Sequence, residues 1–169
     1  MTRVLIAYGS KRGSTGEIAK AIGWTFEEMG LEVDVRPAAE VEDVGSYGAV
    51  VLGGAVYMNR WHRDARRFGR RFAGALRDRP VWLFSSGPLD LTAEERKIPP
   101  VAFVAKLAER IAARDHATFG GRLASHPSGH AASAMAKQMA GDYRNFAEIR
   151  AWASRIGREI GTGVASPTG

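Results

Sequence analysis

Residues 4–19, Val-Leu-Ile-Ala-Tyr-Gly-Ser-Lys-Arg-Gly-Ser-Thr-Gly-Glu-Ile-Ala, leave the chain few ways to fold. The apolar start reads as a strand buried on both faces. It turns abruptly into Gly, Ser and Thr. Beyond Thr15 the apolar period changes: Ile18, Ile22, Phe26 and Met29 recur every three or four positions, one face of a helix. A buried strand therefore feeds a small-residue loop that opens a helix. Such a loop aims free backbone N–H groups and the positive end of the helix dipole at one point. A phosphate suits that point, and Ser10, Ser14 and Thr15 add hydroxyl donors.

The spacing narrows the phosphate. Gly9, Gly13 and Gly16 do not fit G-x-G-x-x-G, and Gly13 is followed by Ser14-Thr15 with no Lys, so neither a dinucleotide fingerprint nor a P-loop stands here. A connecting loop kept tight by small residues would use the same letters, so other loops must decide.

At 169 residues the chain suits one well-cored domain, expected over 1–160, with a frayed tail over 161–169. The absence of Cys removes disulfides, thiolate metal sites and cysteine nucleophiles. The first apolar run is too short for a signal peptide or a membrane span, and a cytoplasmic home is expected. Net charge is +6, unevenly spread: eight acids lie in 17–43, and eight arginines (Arg60, Arg63, Arg66, Arg67, Arg70, Arg71, Arg77, Arg79) lie in 60–79. The bland reading of the arginine run is a solvated helix face; the sharper one is a docking surface for an anionic partner or the membrane. No nucleic-acid motif accompanies it, and nucleic acid is not expected.

Along the chain, Gly30 caps the first helix. Residues 31–35 alternate as a half-buried edge strand stopped by Pro37, and a short helix is expected at 39–44. Residues 49–52 form a third strand closed by Gly53-Gly54. The loop 55–62 follows, then a helix with Phe68, Phe72 and Leu76 on one face. Residues 81–84 are a fourth strand running into a loop at 85–91, and Thr92-x-x-Glu95 suggests a cap. A helix begins at Pro99-Pro100, and 116–119 are a fifth strand. Residues 124–141 read as an Ala-rich helix or flap. Asn145, with Glu148 three on, caps the last helix, whose buried side is Ile149, Trp152, Ile156 and Ile160. Strands alternating with helices imply an α/β fold, a parallel sheet covered on both faces. The solution is a five-stranded parallel sheet in order 2-1-3-4-5, with a ligand beyond the strands' carboxyl ends where loops 10–15, 55–62 and 85–91 converge.

The order of residues 10–15, 53–61 and 85–89 resembles the flavodoxin-like three-layer fold. More narrowly, residues 4–19, 53–68 and Phe119-Gly-Gly-Arg-Leu123 resemble the menaquinone-dependent protoporphyrinogen oxidase branch. The resemblance implies bound FMN, with Ser10, Lys11, Arg12, Gly13, Ser14 and Thr15 at its phosphate. Tyr57 would lie against the isoalloxazine, with Val56, Met58 and Asn59 lining that loop, and Ser85, Ser86, Gly87, Pro88 and Leu89 would form the third loop. Two-electron oxidoreductase chemistry with a small-molecule donor or acceptor, a quinone or a porphyrinogen, follows as the leading expectation. A flavodoxin-type electron shuttle and a flavin-free binding module are the alternatives. The sequence departs from the family in three ways. No ring stands in 86–91 to cover the second flavin face, the chain is basic where shuttles are acidic, and 124–141 carry one Lys, two His and no aromatic. The spacing of His126 and His130, with Pro127 and Gly129 between, points to a polar loop rather than zinc. Trp82 and Trp152 are expected in the core; Trp61 fits core or pocket wall equally.

Overall fold

A computed structural model of the chain describes residues 2–10, 14–87, 100–120 and 131–162. Its strands are β1 (Arg3–Gly9), β2 (Glu32–Pro37), β3 (Ala49–Tyr57), β4 (Arg60–Trp61), β5 (Val81–Gly87) and β6 (Asp115–Gly120). Its helices are α1 (Ser14–Glu28), a 3-10 turn (Ala38–Glu40), α2 (Arg63–Arg71), α3 (Ala73–Arg77), α4 (Ala102–Ile111) and α5 (Ala131–Thr162). The five parallel strands stand in the order β2-β1-β3-β5-β6, the expected topology, and β4 is an additional short strand antiparallel to β3.

Alternation along the strands sends side chains to two separate cores. Leu5, Ala7, Val50, Leu52, Val81 and Leu83 face α2, α3 and α4, where they meet Phe68, Leu76, Val104, Leu107 and Ile111. Val4, Ile6, Val51, Trp82 and Phe84 face the other way, against Ile18, Ile22 and Phe26 of α1 and Ile149, Trp152 and Ile156 of α5. Phe84, Phe119 and Trp152 form a cluster with centroids 5.6–6.3 Å apart. Trp152 Nε1 leaves that core to donate to Asp115 Oδ2 at 3.0 Å. Trp82 and Trp152 are thus core residues, as expected.

Several boundaries move. The third strand does not close at Gly53-Gly54 but continues to Tyr57. The glycines there make room for side chains rather than turning the chain: a Cβ on Gly53 would collide with the Phe84 ring, and one on Gly54 would lie 2.8 Å from Trp61 Nε1. The fourth strand likewise runs to Gly87, so Ser85, Ser86 and Gly87 are strand residues. β2 extends through Pro37, tolerated because β2 is an edge strand. The helix expected at 39–44 is only the 3-10 turn Ala38–Glu40. Helix α1 ends before Met29, which is partly exposed, and Gly30 caps it at φ +90°. The helix through Phe68, Phe72 and Leu76 is broken at Phe72 into α2 and α3. The last helix does not begin at Asn145: α5 runs unbroken through it, and also takes in Gly161 and Thr162 of the expected tail. The Thr92–Glu95 cap, His126, His130 and residues 163–169 lie outside the described residues. No described helix is long and apolar enough to cross a membrane.

The arginines of 60–79 divide by what they touch. Arg79 holds three carbonyls, those of Ala75 at 2.8 Å, Val44 at 2.7 Å and Tyr47 at 2.9 Å. Arg77 donates to Arg110 O at 2.7 Å and Arg66 to Trp61 O at 3.0 Å. These guanidiniums tie neighbouring elements together and belong to the scaffold.

Candidate functional site

The carboxyl ends of β1 and β3 meet at Gly9↔Gly54, with β5 next at Gly54↔Ser85. Just beyond β1 the chain passes Ser10 and enters α1 at Ser14. Lys11, Arg12 and Gly13 lie outside the described residues. Thr15, in the first turn of α1, is completely buried (0% exposed), and its Oγ1 has no hydrogen-bond partner among the described residues. An unsatisfied buried hydroxyl costs about 1–3 kcal/mol, so it marks a position built for an acceptor. The N-terminus of a 15-residue helix stands at the same point.

The second loop is a β-hairpin. Val56 pairs with Trp61 and Tyr57 with Arg60, leaving Met58-Asn59 as a two-residue turn with φ +53° and +63°. Two consecutive positive φ angles define a type I′ turn, whose twist matches the strands; Asn favours that conformation and Met does not. The hairpin lifts Tyr57 and Met58 into solvent, each 77% exposed. Its return strand delivers His62, whose N–H donates to Ala55 O at 2.7 Å and whose Nδ1 accepts from Asp64 N–H at 3.1 Å, capping α2. The start of α2 packs on β1 so closely that a Cβ on Gly9 would lie 2.7 Å from Ala65 N. Hairpin and α2 are therefore fixed relative to the strand ends.

Trp61, left between core and wall by its sequence context, is core at 1% exposure, 6.3 Å from the Phe103 ring. Its Nε1 has no hydrogen-bond partner among the described residues.

The third stretch departs most from the loop expected of it. Ser85 and Ser86 are buried, and Gly87 ends the strand opposite Gly120. Ser85 Oγ lies 2.9 Å from His116 Nε2, so its hydroxyl is engaged inside the α4 side of the sheet. His116 escaped the sequence reading; His116-x-Thr118, opposite Leu83 and Ser85 in the register, is the alternation that could have revealed it. Pro88 and Leu89 lie outside the described residues. Among the described residues no group of three or more His, Asp or Glu is placed to hold a metal.

Comparison with known proteins agrees with this arrangement. The chain is 25% identical over 96 residues to protoporphyrinogen IX dehydrogenase [quinone] of Escherichia coli K12. That alignment takes in 56% of this chain and 53% of the relative, so the chain spans about half the length of the curated relatives it matches. Among solved structures, the rubredoxin oxygen:oxidoreductase of Desulfovibrio gigas superposes with a TM-score of 0.69 at 15% identity, over 98% of this chain and 38% of that one. An archaeal flavodoxin superposes at 0.65 with 12% identity, over 94% and 98% of the two chains, and a Pseudomonas aeruginosa flavodoxin at 0.64 with 13%, over 92% and 97%. These likenesses show the fold. The model of the flavodoxin domain matches residues 5–142, and the chain belongs to that FMN-binding family.

Proposed function

We propose that the chain is an FMN-dependent oxidoreductase. The observation that carries this reading is the buried, unpartnered Thr15 hydroxyl at the head of α1. A phosphate oxygen gives that hydroxyl an acceptor and gives the helix N-terminus its anion, so the residues present fit the group. Ser10, Lys11, Arg12, Gly13, Ser14 and Thr15 would hold the phosphate. The hairpin residues Val56, Tyr57, Met58 and Asn59, with Tyr57 offering its ring, would lie against the flavin. Ser86, Gly87, Pro88 and Leu89 would form the third wall, and Ser85, its hydroxyl bonded to His116, would contribute backbone alone. Bound FMN supplies the one- and two-electron chemistry; the chain supplies position, field and exclusion of water. The likeness to protoporphyrinogen IX dehydrogenase [quinone] favours two-electron exchange with a quinone or porphyrinogen. The flavodoxins among the structural neighbours keep an electron-shuttle role as the second reading.

Titration of the flavin-free protein with FMN tests the site. Flavin fluorescence should quench on binding, and Thr15→Ala should weaken the affinity by roughly tenfold, about 1–2 kcal/mol. A protein that takes up no FMN refutes the proposal. Reaction of the reduced holoprotein with a small quinone separates oxidoreductase from shuttle.

A further inference from the structure

Arg71 turns to the carbonyls of Val41 and Glu42 at 3.5 Å, and of the remaining arginines Arg60, Arg63, Arg67 and Arg70 form an exposed row beside the hairpin. Arg60 and Arg67 make no hydrogen bond or ion pair among the described residues. Arg63, 77% exposed, has only a 3.9 Å approach to Asp64, and Arg70 lies across the Phe103 ring at 5.4 Å. Arg63, Arg67 and Arg70 are spaced i, i+4, i+7, one face of α2, and so lie within about 11 Å along its axis. The row starts at β4, next to the exposed Tyr57 and Met58, and α2 is packed onto the end of β1 at Gly9. Asp64, partly buried at the start of α2, lies 3.9 Å from both Arg63 and the capping His62.

We propose that this face docks an acidic electron-transfer protein, which exchanges electrons with the flavin through the hairpin edge. The inference rests on the FMN reading above. Charge complementarity selects the sign of the partner. Composition selects its class: the patch is Arg, Tyr and Met with no Lys between 60 and 79, and protein–protein interfaces are enriched in those three and depleted in Lys. Planar guanidinium forks pair two-pronged with carboxylates. The opposed alternative, an anionic bilayer, needs no such selection against Lys.

The probe is an acidic rubredoxin mixed with the photoreduced holoprotein. Each oxidised rubredoxin iron takes one electron, Fe(III) to Fe(II). Two encounters reoxidise one fully reduced FMN, whose hydroquinone anion gives up two electrons to the two irons and one proton to solvent. Stopped-flow bleaching of the Fe(III) band gives the bimolecular rate. It should fall at least tenfold as salt rises from about 10 mM to about 150 mM. Arg63→Gln/Arg67→Gln should lower the low-salt rate roughly fivefold to tenfold and flatten the salt dependence. Basic cytochrome c should react more slowly at low salt than at high salt. An unchanged rate in the double variant overturns the proposal, as does equal reactivity with both partners. So does arginine-dependent co-sedimentation with phosphatidylserine vesicles in the absence of rubredoxin binding. Calorimetry of rubredoxin with the flavin-free chain is read separately. A chain that takes up no FMN therefore sinks the functional reading, while the docking face is still decided by calorimetry.

Discussion

Replacing Thr15 with Val should move stability and FMN affinity in opposite directions. The two side chains share a shape, so the substitution chiefly removes the hydroxyl. In the flavin-free protein that hydroxyl is fully buried and unpaired, at a cost of about 1–3 kcal/mol. Removing it should stabilise the apoprotein by about 1–2 kcal/mol, which for 169 residues raises the Tm by about 2–6 °C. With FMN present the same change deletes a charge-assisted bond of about 1.5–3 kcal/mol, so Kd should rise roughly 10- to 100-fold. Thr25 on the same helix provides the control. It is also buried, but its hydroxyl donates to Ala21 O at 3.0 Å, so Thr25→Val should destabilise by about 1 kcal/mol. Thermal melts without flavin and fluorescence titrations with it measure both quantities. An apoprotein weakened by Thr15→Val, with FMN affinity unchanged, would refute the assignment of Thr15 to the phosphate.

Tyr47 OH donates to Asp34 Oδ2 at 2.6 Å, and its pKa is raised above 10, first by burial, then by that bond and the Asp34 charge. Because the fold holds this proton more tightly than the unfolded chain, its stabilisation is complete below pH 10 and lost as pH rises through the folded value; Tyr47→Phe should remove that alkaline loss from Tm measured between about pH 8 and 11. Arg79→Met should cost about 2–3 kcal/mol in denaturant melts, since three carbonyls lose a charged donor, while Arg67→Gln should stay within about 0.5 kcal/mol. Met58→Asn, which suits a positive φ, should raise stability by up to about 1 kcal/mol in the same melts. Arg60→Gln should lower the reduction potential of bound FMN, since one water-screened charge is worth about 1 kcal/mol, on the order of 40 mV per electron; a midpoint unmoved in redox titration would show that the hairpin cation does not act on the flavin.

Hydrophobic period carried most of the fold. Residues 4–8, 49–52 and 81–84 are continuous apolar runs, and only a strand buried on both faces uses them, so the sheet and its order were readable. Strand ends were not. Gly53-Gly54 and Ser85-Ser86-Gly87 carry turn letters, yet they stay in the ladder because Phe84, Trp61 and His116 occupy or satisfy the space beside them. Those are contacts between residues some 7 to 31 positions apart, and no local pattern encodes them. Asn145-x-x-Glu148 has the letters of a capping box, but tertiary context carries α5 through it. Within the site, the strand–loop–helix signature pointed to Thr15. Its isolation is a property of burial, visible only in three dimensions. The arginine run was legible as charge, whereas its division into carbonyl-holding and solvent-facing members depends on the chain beyond α3 bringing Arg79 against the 44–47 loop.

Among the described strands β2 forms one edge of the sheet and β6 the other; the outer row of amides and carbonyls of β2 is open to pairing with another molecule. Its residues answer that hazard. Exposed Glu32 and Arg36 would be desolvated by a second strand laid alongside. Pro37 brings no N–H to the end of the ladder, and six residues make a short template. Two copies approaching antiparallel would set Asp34 against Val35 and Glu32 against Pro37, mismatches that gain little from contact. The β2 margin of the sheet is thus a poor seed for intermolecular β-structure, protected by its own residues rather than by a further element laid over it.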